Sequence, residues 1–522
     1  MLSHIYLLLF VLISNCNKEI GSRKNQLQKK RTSYYFSVTG ADENDGSATH
    51  PFQTIAFLNS LRLNPGDSIL LKAGEAFTGS IILQSNVQDM AKSPITITSY
   101  GNGNAIINGV DGAAVTLNQS AYINISNIIC KGSGRKDGNI SNGFVIDKCN
   151  HINVANLDIS GFQKAGLLIY SSSNINADKI VAHDNGFAGI SVSGQTKKDD
   201  CKNIHISNST AINNPGDPTN FNNHSGNGII AGFCKNVLIE YCSASNNGWD
   251  MPRIGNGPVG IWCYEADSVV IQHCISYQNK TAKGADDGGG YDFDGGTTNS
   301  VIQYCLSYEN QGSAFGIFQY AGASDWHDNV VRFCISANDG KVSAAHAATY
   351  IWNSSGDSAQ FKNFLFYNNT IYNDSNAAIN YSSQDERSNF KFYNNLLIAS
   401  DEIIKGNPGN DIFLANDWWS LKRNFNINGN YNFKNWCTTN NKEKLNDRII
   451  GMNFLPSFKN PGIVRLTDPN KLIGFDDYII IGLSPVTQAG IDLQGLYSIN
   501  TGDKDFNKKL VNKNCLGACT TK

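Results

Sequence analysis

The apolar residues of this chain alternate at a period of two over short stretches, as in Ile190/Val192 and Ile204/Ile206. Such alternation predicts strands with one buried face, and windows with helical periodicity are nearly absent. The strands also recur. GIIAGFCKNVLIEYC (228–242), GIWCYEADSVVIQHC (260–274) and GYDFDGGTTNSVIQYC (290–305) can be written beneath one another, each opening on a glycine and closing on a cysteine. Each is followed by a short strand and an asparagine-containing turn: SASNN, ISYQN and LSYEN. Weaker copies run upstream to Gly143 and downstream to AAINYSSQDERSNFKFYNNLLIAS. Self-similarity at roughly 20 to 35 residues signals a solenoid. One strand–turn unit per coil predicts a parallel β-helix of about ten coils over residues 33–399, roughly 45 to 50 Å long at ~4.8 Å per coil.

The cysteines follow the same repeat. Cys242, Cys274, Cys305 and Cys334 take one position per unit, which predicts a stack of small buried side chains and not a disulfide framework. Only Cys515 and Cys519 (CLGAC) suggest a local bridge. From residue 400 to 522 the pattern decays, and this tail is expected to cover the open end of the helix.

Composition narrows the partners. Charged residues make up 16% of the chain, and Lys+Arg 42 against Asp+Glu 44 leaves a net charge of −2. No basic excess exists to displace phosphate counterions, so nucleic acid is excluded as a partner. A hydrophobic content of 41% excludes general disorder. The apolar run Ile5 to Ile13 is too short to span a bilayer and reads as the core of a signal peptide. Ile13-Ser14-Asn15-Cys16 resembles a bacterial lipobox, making residues 1–16 the leader, Cys16 the lipidated residue and 17–32 a tether. The expectation is an exported monomer held at the outer membrane or cell surface by a lipid anchor alone. Ordinary signal cleavage would make it periplasmic or secreted.

The candidate chemistry lies in ADDGGGYDFDGG (285–296). If Gly290 is the repeat glycine, Tyr291 and Phe293 face the core while Asp292 and Asp294 face out. The opposite register would bury both carboxylates at a cost of several kcal/mol each. Asp286 and Asp287 precede this strand, and four acids so close repel unless a cation or raised pKa values relieve them. They read as an oxygen-ligated Ca²⁺ site on Asp286, Asp287 and Asp292, or as a general acid/base pair, Asp292 and Asp294. Trp262 and Tyr264 on one neighbouring coil, with Phe318 and Tyr320 on the other, suit a sugar-stacking platform. Loops 215–227, 248–257 and 280–289 lengthen together and are expected to wall a cleft, bringing Asp217, His224, Trp249, Asp250, Arg253, Lys283 and Asp287 to one rim. Trp249 would add to the sugar-binding surface.

Two stretches resemble known families. YYFSVTGADENDGSATHPFQTI (34–55) and the following LNPGDSILLKAGEAFTGSI resemble the opening of right-handed β-helix polysaccharide lyases and hydrolases: first strand, capping helix, first coil. Asp286-Asp287-Gly and Tyr291-Asp292 resemble the D-D-G-[FY]-D calcium motif of family 9 pectate lyases, with two extra glycines. The resemblance implies an all-β, single-stranded right-handed parallel β-helix with a short N-terminal capping helix and an irregular C-terminal cap. It also implies a Ca²⁺ ion that binds the substrate's uronate and acidifies its C5 proton. In that family a lysine in a G-F-K segment on the next coil removes the proton; here Ala314-Phe315-Gly316 puts a glycine in its place. Lys283, Arg253 and His346 are the replacement bases, and Arg253 could instead pair with a uronate or sulfate.

Three functions follow. The first is β-elimination on an acidic, uronate-containing polysaccharide or oligosaccharide, by a lyase or a dehydratase. The second is glycoside hydrolysis by Asp292 and Asp294, whose ~6.6 Å spacing along a strand falls between the two stereochemical classes. The third is a non-catalytic surface glycan binder.

Overall fold

The computed structural model describes residues 32–84, 93–341, 346–382 and 386–519. The expected leader, Cys16 and nearly all of the tether lie outside the described residues. Among the described residues no helix is long and apolar enough to cross a membrane.

The alternating stretches form strands, and the strands pair in parallel from coil to coil into one 34-stranded sheet wound as a β-helix. The stack is longer than ten coils. Along the wall that carries the acidic strand, twelve strands succeed one another from Ile81–Gln84 to Ile404–Lys405. The coils also run past residue 399, because Ile404–Lys405, Ile412–Leu414 and Asp417–Ser420 each pair with the preceding turn. The helix Ile55–Ser60 covers the first coil, with Thr54 as its N-cap and Ile55 and Leu58 buried. The one continuous core is aliphatic at the start of the stack and increasingly aromatic toward its end.

Cys242, Cys274, Cys305 and Cys334 are fully buried one above another. Each thiol lies against a carbonyl of the preceding coil, at 3.6 to 3.7 Å. The expected bridge between Cys515 and Cys519 does not form; both side chains are buried, and Cys515 Sγ points at the Leu516 carbonyl at 3.4 Å.

A ladder of buried amides runs beside this stack. Asn185 Nδ2 donates to Asn214 Oδ1, Asn214 to Asn247, Asn247 to Asn279, Asn279 to Asn310, and Asn310 to Asp339 Oδ1, at 2.8 to 3.2 Å. All six are buried. A low-dielectric interior strengthens such a chain of bonds, and each rung left unmade would cost about 1 to 3 kcal/mol. Three of the rungs stand at the root of a long loop: Asn214 before 215–227, Asn247 before 248–257 and Asn279 before 280–289.

The tail does two things. The helix Phe433–Thr439 brings Trp436 against Trp418, ring centres 5.4 Å apart, and packs on the last coil. The remainder does not cover the end. It runs back along the side of the stack, where Phe458, Tyr478, Val486 and Leu516 pack on Ile275, Leu306, Ile335 and Leu396. Polar ties follow the same course, including Asn394 Nδ2 to the Ile491 carbonyl (3.0 Å), Arg332 to the Asn500 carbonyl (2.8 Å) and Lys508 Nζ to Tyr241 Oη (2.8 Å).

Candidate active site

The strand Gly289–Phe293 takes the outward register. Tyr291 and Phe293 are fully buried in the core, and Asp292 and Asp294 face a cleft of about 590 Å³. Parallel pairing sets Asp292 between Trp262 on one coil and Gly316 on the next, with Tyr350 beyond. On the preceding coil this is the expected pairing; on the following coil it shifts the expected platform by one step. Tyr264 flanks Asp294 on one side and Phe318 on the other, while Tyr320 lies over Gly295, so that a Cβ there would meet its ring at 2.4 Å. The aromatic lining comprises Trp262, Tyr264, Phe318, Tyr320, Tyr350 and Trp352.

Burial sets the electrostatics. Asp292 is only 3% exposed. Desolvation, then the charges of Asp294 and Asp287, push its carboxyl well above the ordinary range. Asp287, half-buried and in a left-handed backbone conformation (φ 59°), accepts a hydrogen bond at Oδ2 from Gly257 N (2.8 Å). Desolvation lifts it to about 7 against that bond. Asp294 accepts from Gly295 N (2.7 Å) and is also raised to about 7, chiefly by desolvation and further by Asp287 and Glu265.

Four aspartates line the cleft, and no lysine or arginine stands among its described lining residues. Lys283 is exposed and stands outside the lining. Arg253 also stands outside it, bonded to Asn256. Trp249 is 45% exposed, donates to Asn213 Oδ1 (3.0 Å) and stands outside the lining. Asp217 and Asp250 hold loops in place, paired with Lys164 and with Arg135 and Lys136. His224 does line the cleft: its ring meets Trp262 edge-on at 4.9 Å, and its Nδ1 lies 3.0 Å from Asn227 Nδ2. Asn227 Oδ1 in turn accepts from Trp262 Nε1 (3.1 Å), fixing the indole. His346 lies in the floor beside Tyr350, 4% exposed, and burial lowers its pKa.

The three residues expected to hold Ca²⁺ all line the cleft. Asp286 is exposed, Asp287 is engaged with Gly257, and Asp292 sinks into the floor. Among the described residues no three His, Cys, Asp or Glu side chains are placed to share a metal ion.

The sequence reading overlooked Tyr350 and Trp352. They occupy the outward positions of Thr349–Asn353, and the alternation in TYIWN, which matches GIWCY, carried that signal. Gly316 was seen only as a missing lysine. A Cβ there would stand 2.7 Å from the Phe318 ring and 2.9 Å from the Asp292 carboxyl carbon. The space of a side chain is thus already taken by Phe318 and the acid.

Comparison with known proteins adds family context. A family model described as Pel9A-like, right handed beta helix region, matches residues 34–389. A lacto-N-biosidase of Bifidobacterium longum subsp. longum is 30% identical over 138 residues, which is 25% of this chain and 8% of that protein's length. The crystal structure of a GH136 lacto-N-biosidase from Eubacterium ramulus superposes with a TM-score of 0.51 at 18% identity, covering 76% of this chain and 68% of that one. Pectate lyase Pel9A is similar at a TM-score of 0.44 and 15% identity, over 95% of this chain and 97% of its own.

Proposed function

The chain belongs to the Pel9A-like right-handed β-helix family, and from that premise we propose that it is a glycoside hydrolase acting on an uncharged oligosaccharide, with Asp287 and Asp294 as its acid–base pair. One observation carries the reading: the acids converge on an aromatic cleft whose described lining offers no cation. A uronate entering here would meet Asp286 and whichever of Asp287 and Asp294 is ionised, with no lysine or arginine in the described lining to pair it. Neutral sugar rings would instead stack on Tyr264 on one side of the acids and on Phe318, Tyr350 and Trp352 on the other. Trp262, expected to join them, is 3% exposed and packs behind with Ile230 and Val259.

Two carboxyls raised toward neutrality, Asp294 partly by the charge of Asp287, suit glycoside hydrolysis. The one that keeps its proton protonates the glycosidic oxygen. The ionised one attacks the anomeric carbon or takes the proton of an incoming water. Desolvation raises both acids, so a protonated carboxyl persists at a pH where an ordinary aspartate would have lost it. β-Elimination is less well served: Gly316 stands at the position of the family's lysine, Lys283 and Arg253 stand outside the cleft, and His346, the remaining candidate base, is nearly buried in its floor. The partial match to a protein named lacto-N-biosidase supports the same choice.

The test is incubation with a panel of neutral oligosaccharides, lacto-N-biose-containing ones among them, and of uronate glycans, with products read by mass and by near-ultraviolet absorbance. Products that gain one water without new absorbance are expected from the neutral set. An unsaturated, absorbing product from a uronate glycan would overturn the reading in favour of elimination. Proton NMR of the first-formed anomer then assigns retention or inversion.

A further inference from the structure

Beneath the cleft floor lies a niche of about 10 Å³ that shares Asp287, Asp292, His346 and Tyr350 with the cleft and adds Ser313 and Gly316. Three of its residues hold a buried polar atom with no hydrogen-bond partner: Asp292 Oδ1, Ser313 Oγ and His346 Nδ1. The residues are 3%, 5% and 4% exposed. Groups so deeply buried are paired in the great majority of cases, because each orphan costs about 1 to 3 kcal/mol. Three orphans around one small void mark the place of a missing partner. The void is close to the ~10 to 15 Å³ that a single water needs, and a water needs two to four polar neighbours.

We propose that this niche is a single-water site, and that its water holds Asp292 as a neutral carboxylic acid whose hydroxyl faces the cleft. The hydrogen-bond count closes. Ser313 Oγ–H donates to the water; the water donates one hydrogen to Asp292 Oδ1 and the other to His346 Nδ1, which leaves the His346 proton on Nε2. The Asp292 proton stays on Oδ2, toward the sugar and Asp294. Charged groups around Asp292 favour this form: Asp287, Asp294 and, further out, Asp286 and Glu265 are all acidic, and His346 is kept neutral by burial. Gly316 supplies the room, since any side chain there would press on the carboxyl. Asp292 is then a positioning residue that donates a hydrogen bond beside the working pair. That role rests on the hydrolase reading, whereas the water site does not.

A high-resolution crystal structure of the full chain tests the site. One water peak within hydrogen-bond distance of Asp292 Oδ1, Ser313 Oγ and His346 Nδ1 is expected; a dry niche, or a peak with the coordination of a metal ion, overturns it. The protonation state is read separately, from the infrared difference spectrum of the wild type minus Asp292→Asn at neutral pH. A protonated-carboxyl band is expected, and a carboxylate band overturns the neutral acid. On a substrate found to be cleaved, Asp292→Ala should lose about 100-fold in rate, and Asp292→Asn, which keeps the neutral donor, should recover most of it and flatten the pH profile. An Asn variant as inactive as the Ala variant overturns the positioning role. Failure to find any hydrolysis, with the water and the band present, sinks the proposed function and leaves the site standing.

Discussion

Gly316 is the register partner of Asp292, and the Cβ it lacks would lie 2.9 Å from that residue's carboxyl carbon. The pair explains why one coil tolerates an acid in its floor: the neighbouring rung surrenders its side chain. Gly316→Ala should therefore cut hydrolysis at least tenfold and cost about 1 to 3 kcal/mol through overpacking. Gly316→Lys should create no eliminating activity, since Phe318 and Asp292 already fill the space. Rates and near-ultraviolet absorbance check both.

Asp287→Asn and Asp294→Asn should each reduce turnover by about 10² to 10⁴ while leaving the fold intact, because each removes a proton-transfer group and no core contact. Thermal melts recorded beside the kinetics separate a catalytic loss from unfolding.

The pH dependence of stability has a defined sign. Asp287 and Asp294 move from 3.8 to about 7 on folding. Between these values the folded chain binds more protons than the unfolded one, so stability falls as pH rises from about 4 through about 7. Asp339 and Glu443, raised to about 6 and about 7, act in the same direction. The melting temperature should be higher at pH 5 than at pH 8, and Asp294→Asn should flatten the slope.

Asn279→Ala removes the acceptor for Asn247 and the donor to Asn310 and the Ala244 carbonyl. It should destabilise by about 1 to 3 kcal/mol per orphan left behind. Activity should drop too, although Asn279 does not line the cleft, because it anchors loop 280–289. Calorimetry with a parallel KM measurement checks this.

Much of this was legible in the chain. Period-two alternation with a glycine and a cysteine at fixed places gave the coils, and the energetic penalty on burying two carboxylates gave the outward register of Asp292 and Asp294, although the cleft floor buries Asp292 there as well. Pairing offsets were not legible: a rung carrying an extra residue looks the same in sequence wherever the residue is absorbed, so Tyr320 was set one step out of place. Nor could spacing say that Lys283 and Arg253 would stay outside the cleft, since a loop's direction depends on what packs beneath it.

The returning tail has a mechanical meaning. A stack of rungs in contact only with its neighbours can come apart one rung at a time from either tip. Here the segment that leaves the final turn is fastened to Arg332 and reaches Tyr241, far down the column. Opening the last rung then requires peeling that splint from the flank, so unfolding should be cooperative across the lower half, and a chain cut after residue 449 should lose that cooperativity.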